Sequence, residues 1–516
     1  MLNYTLSKWM DLTILLCKES RKMKQHIDKI LNIYRQLSLP LKVSVWFLFC
    51  SLLQKGLLFF TTPIFTRILS TEEYGIISIF NSWESIISIF VTLGLSYSVQ
   101  NVGLVKFSDD KDNYQSAMLG LLLTCATFCF ISSWLIYDYL KPIIQLEEKY
   151  IFLMLIYCIF KTIMTMWSLR KRFEYHYKEM VRVTILHAIF STMLSMMLVF
   201  LMKDKAYAKV LGIGIITVII GGICCLDFLR NSKKLFNKVY WKFALKYNLP
   251  MIPHFLSTMV LGQLDRIMIK NMCGSSKAGI YSVAYSSANI ISILNSALHA
   301  SYNPWLLQKI KSKNYTGINM VVNVILLSYM LVLWILVWFA PEILTIMAPR
   351  EYYEGIYVIP PVACSMFFML IFNIISPFEQ YSLKTHFIAT ASTGAAVANI
   401  GLNYICIQKF GYLAAGYTTL VCYIFFAAAH YIYVKKICRN DMDGINIFES
   451  KKIGLLCILV VGIGIFSALI YPYYMIRYAL FITILVIMAI KRKRLKSIIA
   501  DTHFLNYTIN KSSSGV

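Results

Sequence analysis

Apolar residues gather along this chain into runs of about 20, broken by short basic and polar stretches. A run of that length crosses a hydrocarbon core of about 30 Å as a helix, which satisfies its own backbone hydrogen bonds where water is absent. The pattern predicts fourteen spans, near residues 43–66, 75–98, 115–137, 150–169, 183–202, 207–227, 247–269, 279–303, 319–341, 356–377, 387–408, 412–434, 453–471 and 474–490. The fold class implied is an all-α polytopic membrane protein. Its longest internal connection is only about 20 residues, so no extramembrane domain is left to carry chemistry.

One stretch recurs. At an offset of 204 positions, Gly75, Ile76, Ser78, Ser82, Ile86, Ile87, Ser88 and Ile89 meet Gly279, Ile280, Ser282, Ser286, Ile290, Ile291, Ser292 and Ile293. Eight identities in fifteen ungapped positions argue for a tandem of two related halves. The repeat joins span 2 to span 8, an even offset, so both halves share one orientation. Two parallel-repeat six-helix lobes around a central cavity follow, with spans 13 and 14 as a C-terminal helix pair outside the duplication. The Ser-rich faces of the repeat suit close helix packing, with a sugar path as the other use.

Charge placement orients the chain. The net charge is +25, with a mean hydropathy of +0.63, and the cations sit in short connections rather than in an extended patch with interleaved aromatics. That argues for membrane topology and against nucleic acid as a partner. With the N-terminus inside, inner segments hold 36 Lys and Arg and outer segments 12, counting Lys209, Arg266 and Arg477 at the outer ends of their spans, while Lys55 and Lys161 lie deeper within theirs. Both termini are therefore expected to be cytoplasmic. The domains expected are a basic cytoplasmic N-terminal extension (1–42), an N-lobe of spans 1–6 (43–227) and a cytoplasmic linker (228–246). A C-lobe of spans 7–12 (247–434), the span 13–14 pair (453–490) and a basic cytoplasmic tail (491–516) complete the chain. Met23 offers a second reading of the translation start beside Met1.

Chemistry-bearing motifs are few. Thirteen cysteines carry no metal or disulfide spacing, and most sit in apolar runs as small hydrophobes. No phosphate-binding Gly-x-x-x-x-Gly-Lys-Ser/Thr loop, His-Glu-x-x-His or Gly-x-Ser-x-Gly occurs. The reading is therefore of a transporter and not an enzyme, with no cofactor and no metal site.

The stretch Pro63…Thr66-Arg67-Ile68-Leu69-Ser70…Glu73-Tyr74-Gly75 resembles the polysaccharide-biosynthesis flippases of the multidrug/oligosaccharidyl-lipid/polysaccharide exporter superfamily. So does Leu249-Pro250…Pro253-His254…Asp265-Arg266-Ile267-Met268-Ile269, and the span count and parallel duplication extend the resemblance over residues 43–490. It implies a flippase that moves undecaprenyl-diphosphate-linked oligosaccharide units across the bacterial cytoplasmic membrane by alternating access. The product would be O-antigen, capsule or another exopolysaccharide, with a polysaccharide polymerase and glycosyltransferases as partners beside the lipid bilayer. The alternatives are a sibling exporter, either a peptidoglycan-precursor flippase or a cation-coupled drug extruder, and an integral-membrane polymerase or glycosyltransferase.

A diphosphate cargo needs fixed cations in a wet chamber, and cations inside a bilayer are costly enough to be placed for a purpose. Lys55, mid-span 1, reads as a diphosphate contact, an ion-pair partner of Glu84, or a snorkelling cation. Lys161 reads either as a second cavity cation or as snorkelling toward Arg170-Lys171-Arg172. Arg67 and Arg266, with Lys270 one turn on, read as an outer gate or phosphate-exit contact with Asp265 or Glu73 as partners, or as interface anchors. Glu84 and Asp265 are thus the coupling or ion-pair candidates. His187, His254 and His299 read as satisfied polar contacts, with proton coupling as the second use. Arg477 reads as an ordinary outer-loop cation.

Overall fold

The computed structural model describes residues 39–97, 99–382, 385–441 and 447–490. The N-terminal extension up to residue 38, with both candidate start methionines, and the basic tail from 491 lie outside the described residues. Those described contain nineteen α-helices and no strand. In chain order they are α1 (Leu39–Ile68), α2 (Thr71–Thr92), α3 (Val99–Lys106), α4 (Lys111–Leu135), α5 (Tyr137–Ile144), α6 (Glu148–Phe173) and α7 (Tyr177–Leu201). Next come α8 (Lys205–Asn231), α9 (Lys238–Asn248), α10 (Ile252–Cys273), α11 (Ser275–Ala288), α12 (Ser292–Lys311), α13 (Ile318–Trp338) and α14 (Ala340–Met347). The last are α15 (Ile359–Tyr381), α16 (Thr385–Phe410), α17 (Ala414–Asp441), α18 (Ser450–Ile470) and α19 (Tyr474–Ile490).

Each span expected from hydropathy coincides with a helix, except that the eighth is broken. There α11 ends at Ala288, a 3-10 turn covers Asn289–Ile291, and α12 begins at Ser292. Among the described residues nine helices are long and apolar enough on their own to cross a membrane. α11 and α19, with 14 and 17 residues, are too short to count singly, and α10 carries Asp265, Arg266 and Lys270. The short helices α3, α5, α9 and α14 occupy connections. α9 is anchored there, with Trp241 Nε1 donating to the Ala117 carbonyl at 2.8 Å.

Helices α1, α2, α4, α6, α7 and α8 pack among themselves, with α8 lying on α4, α6 and α7. In the second half α15 packs against α13, α17 and α18, while α16 packs against α10 and α17. The two sets meet mainly where α2 lies on α10 and α11. α19 joins by a clamp: the Arg477 side chain is 3% exposed, pairs with Glu342 and donates to the Trp338 carbonyl at 3.2 Å. Arg477 is therefore a buried structural cation, not the ordinary loop residue its position suggested.

The α2–α11 contact is the repeat meeting itself. α2 opens on a capping box: Ser70 accepts from the Glu73 amide at 3.1 Å, and Glu73 accepts from the Ser70 amide at 2.8 Å. One turn on, a Cβ on Gly75 would stand 1.9 Å from the Ser275 carbonyl oxygen, and one on Gly279 2.1 Å from the Thr71 carbonyl oxygen. Thr71 and Ser275 are themselves 204 apart, so the contact is reciprocal, as a local two-fold axis requires. Ser78 and Ser282, also equivalent, share a hydrogen bond between their hydroxyls. The residues pair in ascending order on both helices, so α2 and α11 run parallel and the axis lies along them. Both glycines exist here because only a bare backbone lets the helices approach this closely.

Candidate functional site

The end of α2 that holds Thr71 and Gly75 is the seam end, and its contacts repeat across the axis. From the first half, Thr66 Oγ1 donates to the Met347 carbonyl at 2.7 Å and Arg67 Nη2 to that of Ile346 at 3.1 Å. From the second, Lys270, which is 204 positions from Thr66, donates its ammonium to the Gln145 carbonyl. Arg67 and Lys270 thus bind backbone of the opposite half, and Glu73 is engaged in its capping box. At the other end of α2, Asn248 Nδ2 donates to the Leu93 carbonyl at 2.9 Å, and the Tyr97 and Phe255 rings lie 4.7 Å apart.

In the interior of the first half, α6 and α2 bring Lys161 to Glu84. The ammonium lies 2.9 and 3.0 Å from the two carboxylate oxygens. The pair is asymmetric: the Glu84 side chain is 6% exposed and that of Lys161 44%. The carboxylate is packed away, whereas the lysine side chain is nearly half exposed, with the Tyr157 ring 5.2 Å from its nitrogen. Lys55 falls on α1, but its side chain lies outside the described residues. His187 Nε2 meets Thr217 Oγ1 at 2.9 Å, a polar contact satisfied within the bundle.

In the second half Asp265 is fully buried and accepts from Tyr281 Oη at 2.9 Å, Asn403 Nδ2 at 2.7 Å and Thr419 Oγ1 at 2.8 Å. Its hydrogen bonds come from neutral donors. Arg266, one residue on, turns to another face of α10, where its guanidinium lies 4.2 Å from the Tyr285 ring centroid and donates to the Gly262 carbonyl at 2.8 Å. At 7% exposure it is buried in the interior.

Three interior features escape the linear pattern. Lys209, at the outer end of the sixth expected span, projects from α8 onto the rings of Phe65 and Tyr74, 4.1 and 4.8 Å from their centroids. Its signal was its place among the small residues Ala206, Ala208 and Gly212 of an apolar helix. Glu379 and His430, both with side chains 0% exposed, meet at 2.8 Å between α15 and α17; each stands alone in an apolar stretch, and only the fold makes them a pair. Away from the seam, a polar pocket of about 600 Å³ is lined by Lys111, Asp112, Arg170, Lys171, Glu174 and Glu179 among others. Arg170 pairs there with Asp112 and Glu174, and Lys111 with Glu174 at 3.0 Å. Burial pushes the Glu174 carboxyl up, but the hydrogen bonds from Lys111 and Arg170 outweigh it and hold it below its ordinary value.

Helices joined at a two-fold seam, with cations on interior faces, define a multi-pass membrane protein with the fold of the all-helical exporters. An inward-facing multidrug resistance MATE transporter of the MOP superfamily superposes with a TM-score of 0.58 at 13% identity, covering 77% of this chain and 96% of that one. The lipid II flippase MurJ in an inward closed conformation gives 0.57 at 16% identity, covering 84% and 99%. The chain belongs to the polysaccharide biosynthesis protein family, whose description it matches over residues 41–310. It is also similar to Lsg locus putative protein 1 of Haemophilus influenzae, 24% identical over 286 residues that cover 53% of this chain and 67% of that protein.

Proposed function

We propose that the protein is a flippase that carries a diphosphate-linked lipid oligosaccharide across the bacterial cytoplasmic membrane for surface polysaccharide synthesis. The observation that carries this reading is Lys161, a cation in the middle of a spanning helix whose side chain is nearly half exposed beside an enclosed carboxylate. A buried ion pair made only for stability would be enclosed on both partners. Here the carboxylate alone is enclosed, so the ammonium is oriented and ready to exchange part of its bond to Glu84 for a phosphate oxygen. Family membership supplies the polysaccharide context, and the two-fold seam supplies two bodies that can rock against each other. With both termini cytoplasmic, the seam end lies on the outer face, where Arg67, Lys270 and Arg266 stand along the exit. Lys55 is the further cavity cation of the first half.

A cationic drug is the poorer cargo, because the Glu84 carboxylate is already covered by Lys161. A peptidoglycan precursor shares the lipid diphosphate and differs only in its sugar. The test is transport in proteoliposomes of a fluorescent undecaprenyl-diphosphate oligosaccharide, with Lys161→Ala beside the wild type. The variant is expected to lose about 100-fold in rate, the cost of removing one partner from a desolvated charge contact. Wild-type rates in Lys161→Ala would remove the phosphate role.

A further inference from the structure

Lys209 is an interior cation that the fold leaves without a counter-charge. It lies one turn into α8, partly exposed, between the faces of Phe65 and Tyr74. Among the described residues no carboxylate lies within ion-pair distance of it. An unpaired ammonium within a bilayer is costly, and ring faces offset only part of that cost.

Tyr74 ties this lysine to the seam, since the next residue, Gly75, is one of the glycines at the axis. From the opposite half Arg266 rests its guanidinium on Tyr285 of α11, the helix that packs on α2. The depth of Lys209 differs from that of Lys161. α6 and α8 start level, because Lys149 and Tyr150 both bind Asp204, at 2.6 and 3.1 Å. Counting about 1.5 Å per residue from that shared level, Lys209 lies about 10 Å nearer the seam end than Lys161 does.

We propose that Lys209 forms a second phosphate-binding station beyond Lys161, taking a phosphoryl group of the cargo as it moves toward the seam end. This rests on the reading of the cargo as a lipid diphosphate. An arriving phosphate would supply the counter-charge that Lys209 lacks.

The test is calorimetric binding to the full-length protein in detergent, with farnesyl diphosphate, inorganic diphosphate and phosphatidylglycerol as separate probes. Wild type is compared with Lys209→Met, Lys209→Arg and Lys161→Met. Lys209→Met should weaken farnesyl diphosphate about tenfold, the loss of one charge-assisted hydrogen bond, with the melting temperature unchanged, and Lys209→Arg should restore most of the affinity. A parallel loss for inorganic diphosphate would support the station by showing that it reads the phosphates alone. Wild-type affinity in Lys209→Met while Lys161→Met loses binding would overturn the station and leave the flippase reading standing. If Lys209→Met lost only phosphatidylglycerol, Lys209 would hold a resident headgroup and the station would be overturned as well. Absence of any diphosphate binding by the wild type would overturn both readings.

Discussion

The two halves of this protein share a frame and differ in chemistry. At the offset that aligns Gly75 with Gly279, Lys161 corresponds to Ser365, Glu84 to Ala288, Lys209 to Leu413 and Asp265 to Thr61. The first half thus points cations into partly open space: Lys161 on a single enclosed carboxylate, and Lys209 on aromatic rings. The second half encloses its carboxylate, Asp265, among three neutral donors and buries a Glu379–His430 pair entirely. Duplication kept what the packing needs, namely the Gly and Ser positions along the axis. Residues away from the axis were free to diverge, and on the reading proposed here the first half supplies the mid-span cation for the cargo while the second encloses polar interior structure.

If the shared frame is a moving joint, locking it should have the largest effect. Ser78→Cys with Ser282→Cys places two thiols where hydroxyls already touch. Oxidation is expected to cross-link them and stop transport, with recovery on reduction; undiminished transport by the cross-linked protein would make the seam a static contact. A smaller effect is expected in the second half. Asp265→Asn puts an amide where donors converge, leaving one of them unpaired, and should cost about 1–3 kcal/mol of stability. Diphosphate binding should be unchanged; lost binding with unchanged stability would move Asp265 into the ligand site.

The smallest effect belongs to the ion pairs around Arg170. The folded-state pKa of Glu174 is lowered, so its contribution is complete above the ordinary carboxylate range and is lost as the pH falls through the lowered value. Thermal stability in detergent should therefore decline on acidification below about pH 4.5, and the decline should be shallower in Glu174→Gln. Equal acid sensitivity in both proteins would assign it elsewhere.

Hydropathy placed the helices well because membrane spans must be long and apolar, and the repeat was readable because close packing at the axis tolerates few residue types. Side-chain partners were harder. Depth along a helix can be counted from its ends, which put Lys55 and Glu84 at one level, but the direction a residue faces around the axis depends on neighbours far along the chain. Lys161, 77 positions from Glu84, is the partner the fold supplies. The same limit hid Glu379 and His430, and it left Lys209 unremarked at the end of its span although it folds inward one turn into α8. Arg477 misled in the opposite way, because nothing near it in sequence announces Glu342. The break between α11 and α12 had no proline or charged residue to signal it.

What separates a ligand cation from a structural ion pair is whether its position matters or only its presence. Exchanging the partners, Lys161→Glu with Glu84→Lys, keeps one positive and one negative charge in contact but moves the cation to the enclosed side and the carboxylate to the open one. Transport of a lipid diphosphate oligosaccharide should stay at the level of Lys161→Ala, while the melting temperature returns close to that of the wild type. Recovery of wild-type transport in the exchanged protein would show that the pair serves the fold alone, and that the cargo's phosphates are held elsewhere.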